Sequence, residues 1–281
     1  GSDVAGVVDS VGADVDTIKV GDEVIVLPGT SCGVCVACLS GRDHHCAKYA
    51  ILGEHRDGGC AELVVVPRAN IVKKPASLSF PEAAAIGVPF LTAWHMLVTR
   101  AGVRPGETVL VQAAGSGVST AAIQIAKLWG ARVIAAARGA DKLERALKLG
   151  ADEVLQFGSG LARHVKELTG GAGAAVVIDH VGEATWDESL RSLAWQGRLV
   201  TCGATSGAEV KLNLRHLFFK SLSLLGSTMG PKGDFHELLA HVAAGRLSPV
   251  GDRVLPLAEV RTAQQLIEER RLFGRVVLEV S

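Results

Sequence analysis

The stretch ETVLVQAAGSGVSTAAIQIAK, residues 107–127, decides the fold class of this chain. An uninterrupted apolar run leads into a turn of small residues, and a segment with helical spacing follows the turn. Strands of a parallel sheet are buried on both faces and read as continuous apolar runs, whereas half-exposed strands alternate. The stretch therefore predicts a strand, a tight turn and a helix, the first unit of a parallel sheet.

Further units of the same kind follow along the chain. The apolar runs that predict the next strands lie at residues 132–137, 153–157, 174–181, 197–203 and 222–228. Segments with helical spacing separate most of these runs. Repeated strand–helix–strand units predict an α/β fold with a doubly wound parallel sheet and right-handed crossovers.

The segments before and after this region have a different pattern of apolar residues and glycines. Residues 1–78 contain short apolar runs broken by glycines, which is typical of a β-rich domain. The tail contains an amphipathic helical pattern at residues 233–247 and two predicted strands that can rejoin the first domain. We therefore expect a β-rich domain over residues 1–88, a doubly wound domain over 89–229 and a return to the first domain over 230–281.

Composition excludes several classes of function. The 281 residues are 48% apolar, and 29 basic residues balance 29 acidic ones, so a nucleic-acid or anionic-membrane partner is not expected. No apolar run is long enough to cross a membrane, which takes about 18 residues or more, and we expect no signal peptide. We expect a cytoplasmic globular protein. The chain does not begin with methionine, so we also expect that N-terminal residues are missing.

Four of the six cysteines lie in SCGVCVACLSGRDHHC, residues 31–46. The cluster is compatible with a catalytic metal, a structural metal or two disulfides. In a chain of this size without a secretion signal, the CxxC spacing favours a metal over disulfides. Four thiolates complete a tetrahedral shell and leave no open position for water or substrate. His44 and His45 are alternative ligands within the loop, and a nucleic-acid-binding zinc ribbon is disfavoured by the neutral charge.

The turn after the first predicted strand indicates a dinucleotide site. The small residues of this turn let a dinucleotide come close to the backbone, and the following helix offers free N–H groups to its pyrophosphate. The candidate cofactor-binding residues are Gly115, Ser116, Gly117, Val118 and Ser119. The strict GxGxxG pattern is not met, because serine takes the last glycine position. A small-residue turn without any ligand is the alternative interpretation.

The end of the second predicted strand bears on which dinucleotide binds. NAD-specific sites usually place an acidic residue there, but this chain has Ala137, followed by Arg138, with Lys142 nearby. A guanidinium and an ammonium attract a 2′-phosphate. The pattern favours NADP(H) over NAD(H), and the alternative is that both cations are simply solvated.

Together these segments resemble the medium-chain dehydrogenase/reductase family, also called the zinc-containing alcohol dehydrogenase superfamily. The matching segments include GSDVAGVVDSVG, DGGCAELVVVP, AAAIGVPFLTAW, the cysteine cluster, the cofactor turn and FGRVVLEV. The resemblance implies a GroES-like β domain joined to a Rossmann domain, with the family's first strands preceding residue 1. It also implies a structural zinc held by Cys32, Cys35, Cys38 and Cys46.

The positions of the family's catalytic zinc are altered in this chain. The family's Gly-His-Glu motif appears as Gly1-Ser2-Asp3, and a later cysteine or aspartate ligand falls at Val88. Catalytic zinc needs about three protein ligands, so we predict no catalytic zinc. The resemblance then implies an NADPH-dependent reductase of activated double bonds, small carbonyl compounds or quinones. The alternatives are an alcohol or aldehyde dehydrogenase of the same family and an NADPH-binding protein without turnover.

The resemblance assigns further residues by position. Thr92 would be a catalytic-site residue at the nicotinamide face, and Gly226 and Ser227 would meet the carboxamide. Val181 and Gly182 would lie against the adenosine, and Arg275 would reach the pyrophosphate. For Thr92 the alternative is a bond to its own helix, and for Arg275 a surface position. The apolar strand at residues 222–228 suggests a sheet edge that pairs in a homodimer or homotetramer.

Overall fold

The computed structural model describes residues 1–280. The N-terminal part consists of short strands and helices, as its glycine-rich sequence predicts. The strands are β1 (Val4–Val7), β2 (Glu23–Val26), β3 (Gly29–Thr30), β4 (Ala50–Ile51) and β5 (Ile71–Lys73), and the helices are α1 (Val36–Leu39), α2 (Phe80–Ala84) and α3 (Gly87–Trp94). Strands β1, β2 and β5 form an antiparallel sheet, and β3 pairs with β4.

A six-stranded parallel sheet follows, with helices between most of its strands. Its elements are β6 (Thr108–Val111), α4 (Gly117–Leu128), β7 (Arg132–Ala137), α5 (Ala140–Lys148), β8 (Glu153–Gln156), α6 (Leu161–Leu168), β9 (Ala174–Asp179), α7 (Glu183–Ser192), β10 (Leu193–Thr201), α8 (Leu214–Phe219) and β11 (Ser223–Gly226). The strand order is β8-β7-β6-β9-β10-β11. This is the Rossmann order 3-2-1-4-5-6, whose order reverses between β6 and β9.

The core of this sheet explains its continuous apolar runs. Leu110, Ile134, Val177 and Leu199 come from four neighbouring strands and are each at most 2% exposed. Burial of an aliphatic side chain of this size contributes about 1.5–3 kcal/mol. Both faces of the sheet are covered, so the strands show no polar alternation.

The tail contains α9 (Lys232–Ala243), β12 (Gly251–Pro256), α10 (Val260–Glu268) and β13 (Arg275–Glu279). Strands β12 and β13 pair in parallel. The chain divides into two compact units, one of residues 1–91 with 230–281, and one of residues 92–229. The tail therefore belongs to the N-terminal unit, and the division falls three residues after the predicted boundary at residue 88.

Two local predictions differ from the structure. The short apolar run AELVVV predicts a strand at residues 61–66, but these residues lie in no strand, and Leu63 and Val65 are exposed. The helical pattern before β10 extends to Trp195, but α7 ends at Ser192 because Leu193 already pairs with Ala174 of β9. Pairing with a neighbouring strand thus overrides the local pattern.

The helix α3 continues into a π-helical segment over His95–Arg100. Its amides bond five residues back, as shown by the bond from Ala101 N to Met96 O of 2.9 Å. A π-turn holds one residue more than an α-turn and often marks a site that needs a particular register.

Candidate functional site

The four clustered cysteines form a compact set of sulfur atoms. All four Sγ atoms lie within 4.8 Å of one another, with Cys35 to Cys38 at 3.5 Å and Cys32 to Cys38 at 3.9 Å. A Zn–S bond of about 2.3 Å gives a tetrahedral S–S edge of about 3.8 Å. The donor set therefore fits a zinc ion held by four thiolates.

The loop that carries these sulfurs is fixed by local structure. Cys35 is the N-cap of α1 and Cys38 lies within that helix, while Cys46 directly follows a 3₁₀ turn over Asp43–His45. The Asp43 carboxylate accepts from the backbone amide of Lys232 at 3.0 Å. Hydrogen bonds from the backbone at Val34 and then at Cys35 lower the pKa of the Cys32 thiol to about 6, which favours the thiolate form that binds metal.

Two residues that the resemblance places in or beside a catalytic zinc site, Asp3 and Val88, contact each other. The Asp3 carboxylate accepts from the Val88 amide at 2.5 Å and forms an ion pair with Arg275. Burial raises the pKa of Asp3, although Arg275 and the Val88 amide oppose that shift. Within residues 1–280, the cysteine cluster is the only group of three or more metal-ligating side chains near enough to share an ion. Arg275, expected at a pyrophosphate, thus has Asp3 as its partner.

The turn between β6 and α4 presents a helix N-terminus to any anion. Ser116 is the N-cap of α4, and its side chain accepts from the Ser119 amide at 3.1 Å. The first amides of a helix have no acceptor within the helix, so those of Gly117 and Val118 suit an anion's oxygens. Ala113 adopts φ 49°, a conformation that glycine usually takes.

A histidine that the sequence analysis did not select joins this turn. His180 follows β9 and places its Nε2 at 2.9 Å from both Ser116 Oγ and Ser119 Oγ. Ser119 Oγ donates to the carbonyl of Gln112 at 2.6 Å. Burial lowers the pKa of His180, although the Asp179 carboxylate opposes the shift, so the imidazole is neutral at physiological pH.

The end of β9 is held by one buried carboxylate. Asp179 accepts from the amides of Val181 and Gly182 at 2.8 and 3.2 Å, and from the hydroxyls of Thr185 and Ser189 at 2.9 and 2.6 Å. Gly182 has φ 89°, and a Cβ there would collide with the carbonyl oxygen of Gly207. The two residues predicted to contact the adenosine are thus fixed in one backbone conformation.

The end of β7 carries the cations that the sequence analysis singled out. Ala137 is buried at the strand's last position, and the Arg138 guanidinium lies over the Phe157 ring at 4.5 Å from its centroid. Lys142 lies in the first turns of α5 and is half-buried. Such stacking keeps a guanidinium in place while its N–H groups still point outward.

A cavity of about 360 Å³ lies beside Phe157 in the same unit. Its walls include Gln112, Thr185 and Glu188. The Gln112 Nε2 donates to Ser189 Oγ at 3.0 Å, but its buried Oε1 has no hydrogen-bond partner. Buried acceptors are rarely left unpaired, so a donor from a bound molecule suits this position.

The remaining predicted residues lie within α3 and at the end of β11. Thr92 is 5% exposed within α3. Gly226 is the last residue of β11, and its carbonyl accepts from Arg100 Nε at 2.9 Å. Ser227 follows, with a buried hydroxyl that has no partner. A free hydroxyl at the carboxyl edge of a Rossmann sheet suits a polar ligand group.

His180, Asp179, Gln112 and Phe157 were not selected from the sequence. Their common signal is position, because each lies at the carboxyl end of a parallel strand or directly after it. Ligands of open α/β sheets bind at that edge. Treating both the last residue of each strand and the residue directly after it as candidates would have found all four.

Comparison with known proteins agrees with this arrangement. Residues 1–76 match the family profile described as the alcohol dehydrogenase GroES-like domain, and residues 117–244 match that of the zinc-binding dehydrogenases. No helix within residues 1–280 has the length and apolar character needed to span a bilayer. The class defined by the fold is thus a two-domain dehydrogenase with a Rossmann unit.

Individual relatives extend this likeness over the whole chain. An acryloyl-coenzyme A reductase of Sulfurisphaera tokodaii is 31% identical, covering 99% of this chain and 82% of the relative. Quinone oxidoreductase-like protein 2 of Bos taurus is 33% identical, covering 100% of this chain and 76% of the relative. A crystal structure of an NAD-dependent alcohol dehydrogenase is 52% identical with a TM-score of 0.97, covering 100% of this chain and 82% of that one.

The chain therefore belongs to the zinc-containing alcohol dehydrogenase family, the medium-chain dehydrogenases/reductases. It is an NAD(P)-dependent oxidoreductase that acts on small molecules. The predicted family and the predicted fold class, a GroES-like domain with a Rossmann sheet, are confirmed.

Proposed function

We propose that this protein is an NADPH-dependent reductase of small activated carbonyl compounds, enones or quinones, with one structural zinc and no catalytic zinc. The bound cofactor supplies the hydride. The conjugated carbonyl of such a substrate spreads the incoming charge by itself, whereas an unactivated alcohol needs a Lewis acid to stabilise its alkoxide. The relatives named as acryloyl-coenzyme A reductase and quinone oxidoreductase-like protein support this substrate class.

The donor chemistry at residue 88 carries the proposal. A valine side chain has no lone pair for a metal, and the Val88 amide is already bonded to Asp3. Asp3 in turn is paired with Arg275. The cysteine cluster supplies four thiolates, which form a closed shell. Zinc in that cluster holds the loop and has no position open to a substrate.

The preference for NADPH rests on the end of β7. Ala137 offers no carboxylate to the ribose hydroxyls, and the stacked Arg138 offers N–H donors to a 2′-phosphate, with Lys142 adding a second positive charge. In this scheme the amides of Gly117 and Val118 bind the pyrophosphate. Val181 and Gly182 lie against the adenosine, and Thr92, Gly226 and Ser227 contact the nicotinamide.

An alcohol dehydrogenase using NAD(H) is the second candidate. The observation that favours it is the 52% identity to the structure of an NAD-dependent alcohol dehydrogenase. The two candidates differ in cofactor and in the direction of the reaction.

Metal quantification, cofactor titration and a turnover panel test the proposal together. We expect one zinc per chain, tighter binding of NADPH than of NADH, and NADPH oxidation with enones, acryloyl thioesters or quinones. A second zinc together with NAD-dependent oxidation of simple alcohols would favour the second candidate. Tight NADPH binding without turnover of any compound would instead indicate a protein that only binds the cofactor.

We also propose that two copies pair through the β11 edge of the sheet, in a homodimer or a homotetramer. Strand β11 is an edge strand, and large apolar side chains are exposed nearby. Trp195 and Phe219 are 62% and 69% exposed, with ring centroids 5.9 Å apart. Exposed apolar surface beside an open strand edge favours association with a second copy. None of the six cysteines forms a disulfide, which supports a reducing compartment such as the cytoplasm.

A further inference from the structure

We propose that His180 is a positioning residue for cofactor binding. It fixes the oxygen of Ser116 by donating its Nε2 proton, so that the Ser116 hydroxyl donates its own proton to a pyrophosphate at the N-terminus of α4. This inference rests on the proposed use of a pyrophosphate-containing cofactor. It adds a residue outside the turn that controls how the turn binds an anion.

The proton on His180 is located by the hydrogen bonds of Ser119. A hydroxyl has a single proton, and that of Ser119 is donated to the Gln112 carbonyl at 2.6 Å. Ser119 Oγ therefore acts only as an acceptor toward His180 Nε2, which lies 2.9 Å away. Since the imidazole is neutral, this assigns the tautomer with the proton on Nε2.

The same assignment determines the role of Ser116. Its oxygen lies 2.9 Å from His180 Nε2, whose single proton it shares with Ser119 Oγ in a three-centre bond, and 3.1 Å from the Ser119 amide, and it accepts from both. Both lone pairs of the Ser116 oxygen are then used, and only its proton remains to be donated. In the structure this proton points to Ser119 Oγ at 3.1 Å.

An anion competes favourably for that proton. A hydrogen bond to a phosphate oxygen is charge-assisted and about twice as strong as one between neutral groups. The Ser119 oxygen retains the His180 proton when the Ser116 hydroxyl turns away. The change therefore leaves no buried group of this network unpaired, and the helix N-terminus gains a side-chain donor beside its amides.

The alternative is that the imidazole only fills space between α4 and the end of β9. The two roles differ in what replaces histidine. Glutamine and leucine at residue 180 both fill a volume near that of histidine, but only glutamine places an N–H near the position of the imidazole Nε2–H. Alanine removes both the volume and the donor. A packing role depends on volume, but a positioning role depends on the donor and on the presence of Ser116.

Isothermal titration calorimetry of His180→Ala, Ser116→Ala, the double variant, His180→Gln and His180→Leu tests the proposal. The probes are NADPH, NADH and adenosine 2′-monophosphate, which lacks the pyrophosphate. We expect each alanine variant to bind NADPH and NADH roughly 10-fold more weakly, as for one lost charge-assisted hydrogen bond. The double variant should bind no more than about 2-fold more weakly than either single variant, because both remove the same contact. His180→Gln should restore most of the affinity, whereas His180→Leu, which fills a similar volume without a donor, should not. Adenosine 2′-monophosphate should bind all variants equally.

A matched control is His164→Ala, which removes an exposed histidine of α6 in the same unit. Additive losses in the double variant, or failure of glutamine to restore binding in a normally folded variant, would overturn the proposal. Equal weakening of adenosine 2′-monophosphate would indicate a packing role and would also overturn it. If the wild-type protein prefers NADH, only the proposed preference for NADPH is contradicted. The role of His180 is then tested with NADH, which contains the same pyrophosphate.

Discussion

The cysteine loop of the N-terminal unit and the carboxyl edge of the parallel sheet are both polar sites, but they are completed differently. In the loop the four sulfurs face one another within 4.8 Å, so one ion satisfies all of them. At the sheet edge the amides of Gly117 and Val118, the Ser227 hydroxyl and the Gln112 side-chain oxygen Oε1 lack partners within the fold. The comparison teaches that a closed donor set stabilises structure, whereas an open one binds a ligand that can leave.

Removing one sulfur is the largest perturbation of the closed site. Cys46 is 6% exposed, and Cys46→Ser leaves three thiolates. We expect loss of the zinc and local unfolding of residues 31–46, with a loss of about 4 kcal/mol in the free energy of unfolding. Metal content and limited proteolysis measure this effect. Cys60→Ser, at an exposed cysteine outside the cluster, is the control. Full zinc occupancy in Cys46→Ser would show that zinc binding does not depend on Cys46 and that another residue serves as the fourth ligand.

The backbone at the open site is held by the hydrogen bonds that Asp179 accepts, and weakening them should have the next largest effect. Asp179→Asn keeps one oxygen for the three donors that meet Oδ1, but it removes the negative charge and places an NH₂ group where Oδ2 accepts from the Ser189 hydroxyl. We expect a loss of about 3 kcal/mol in the free energy of unfolding, measured by denaturant titration. Thr185→Val, which removes a single donor, should cost about 1 kcal/mol. Equal effects of both substitutions would contradict the anchor role of Asp179.

Changing the cation at the open site should alter cofactor choice without altering stability. Arg138→Ala removes the donors proposed for the 2′-phosphate, so the Kd for NADPH should rise roughly 10-fold to 100-fold while that for NADH stays within about 2-fold. Lys142→Ala should give a smaller shift in the same direction. Cofactor titration measures both. An equal loss for NADPH and NADH would assign Arg138 a role unrelated to the 2′-phosphate.

The smallest predicted effect concerns the surface beside the sheet. Phe219→Glu places a charge among exposed apolar side chains and should weaken subunit association by roughly 10-fold or more, with little change in the fold of one subunit. Light scattering across a dilution series measures this shift. Val65→Glu, at an exposed apolar residue of the other unit, is the matched control. An unchanged mass at every concentration would place the interface elsewhere.

Periodicity and spacing predicted much of this molecule from the sequence. Continuous apolar runs such as 107–111 and 132–137 predict buried parallel strands because both faces of such a strand are covered. The CxxC spacing predicted one cluster because the ligands of a short loop are near one another in sequence. The turn at residues 113–119 was located by its small residues, which the approach of a phosphate requires.

Other features depend on residues far apart in the chain, and local patterns could not reveal them. His180 meets Ser116 only because β9 lies beside β6 in the sheet. Arg275 meets Asp3 only because the tail rejoins the first residues of the chain. The run at 61–66 contains three valines, which favour a strand, but a strand also needs hydrogen bonds to a neighbouring strand, and these residues lie in none.

The extra residue in the π-helical segment sets the direction of Arg100. Each residue turns an α-helix by about 100°. Deleting one residue between His95 and Arg100 would restore the α-helical register and swing the guanidinium about a quarter of the way around the axis. The carbonyl of Gly226 would then lose its hydrogen bond from Arg100 Nε. The length of this short segment, as much as its composition, therefore determines whether Arg100 can hydrogen-bond the end of the last strand.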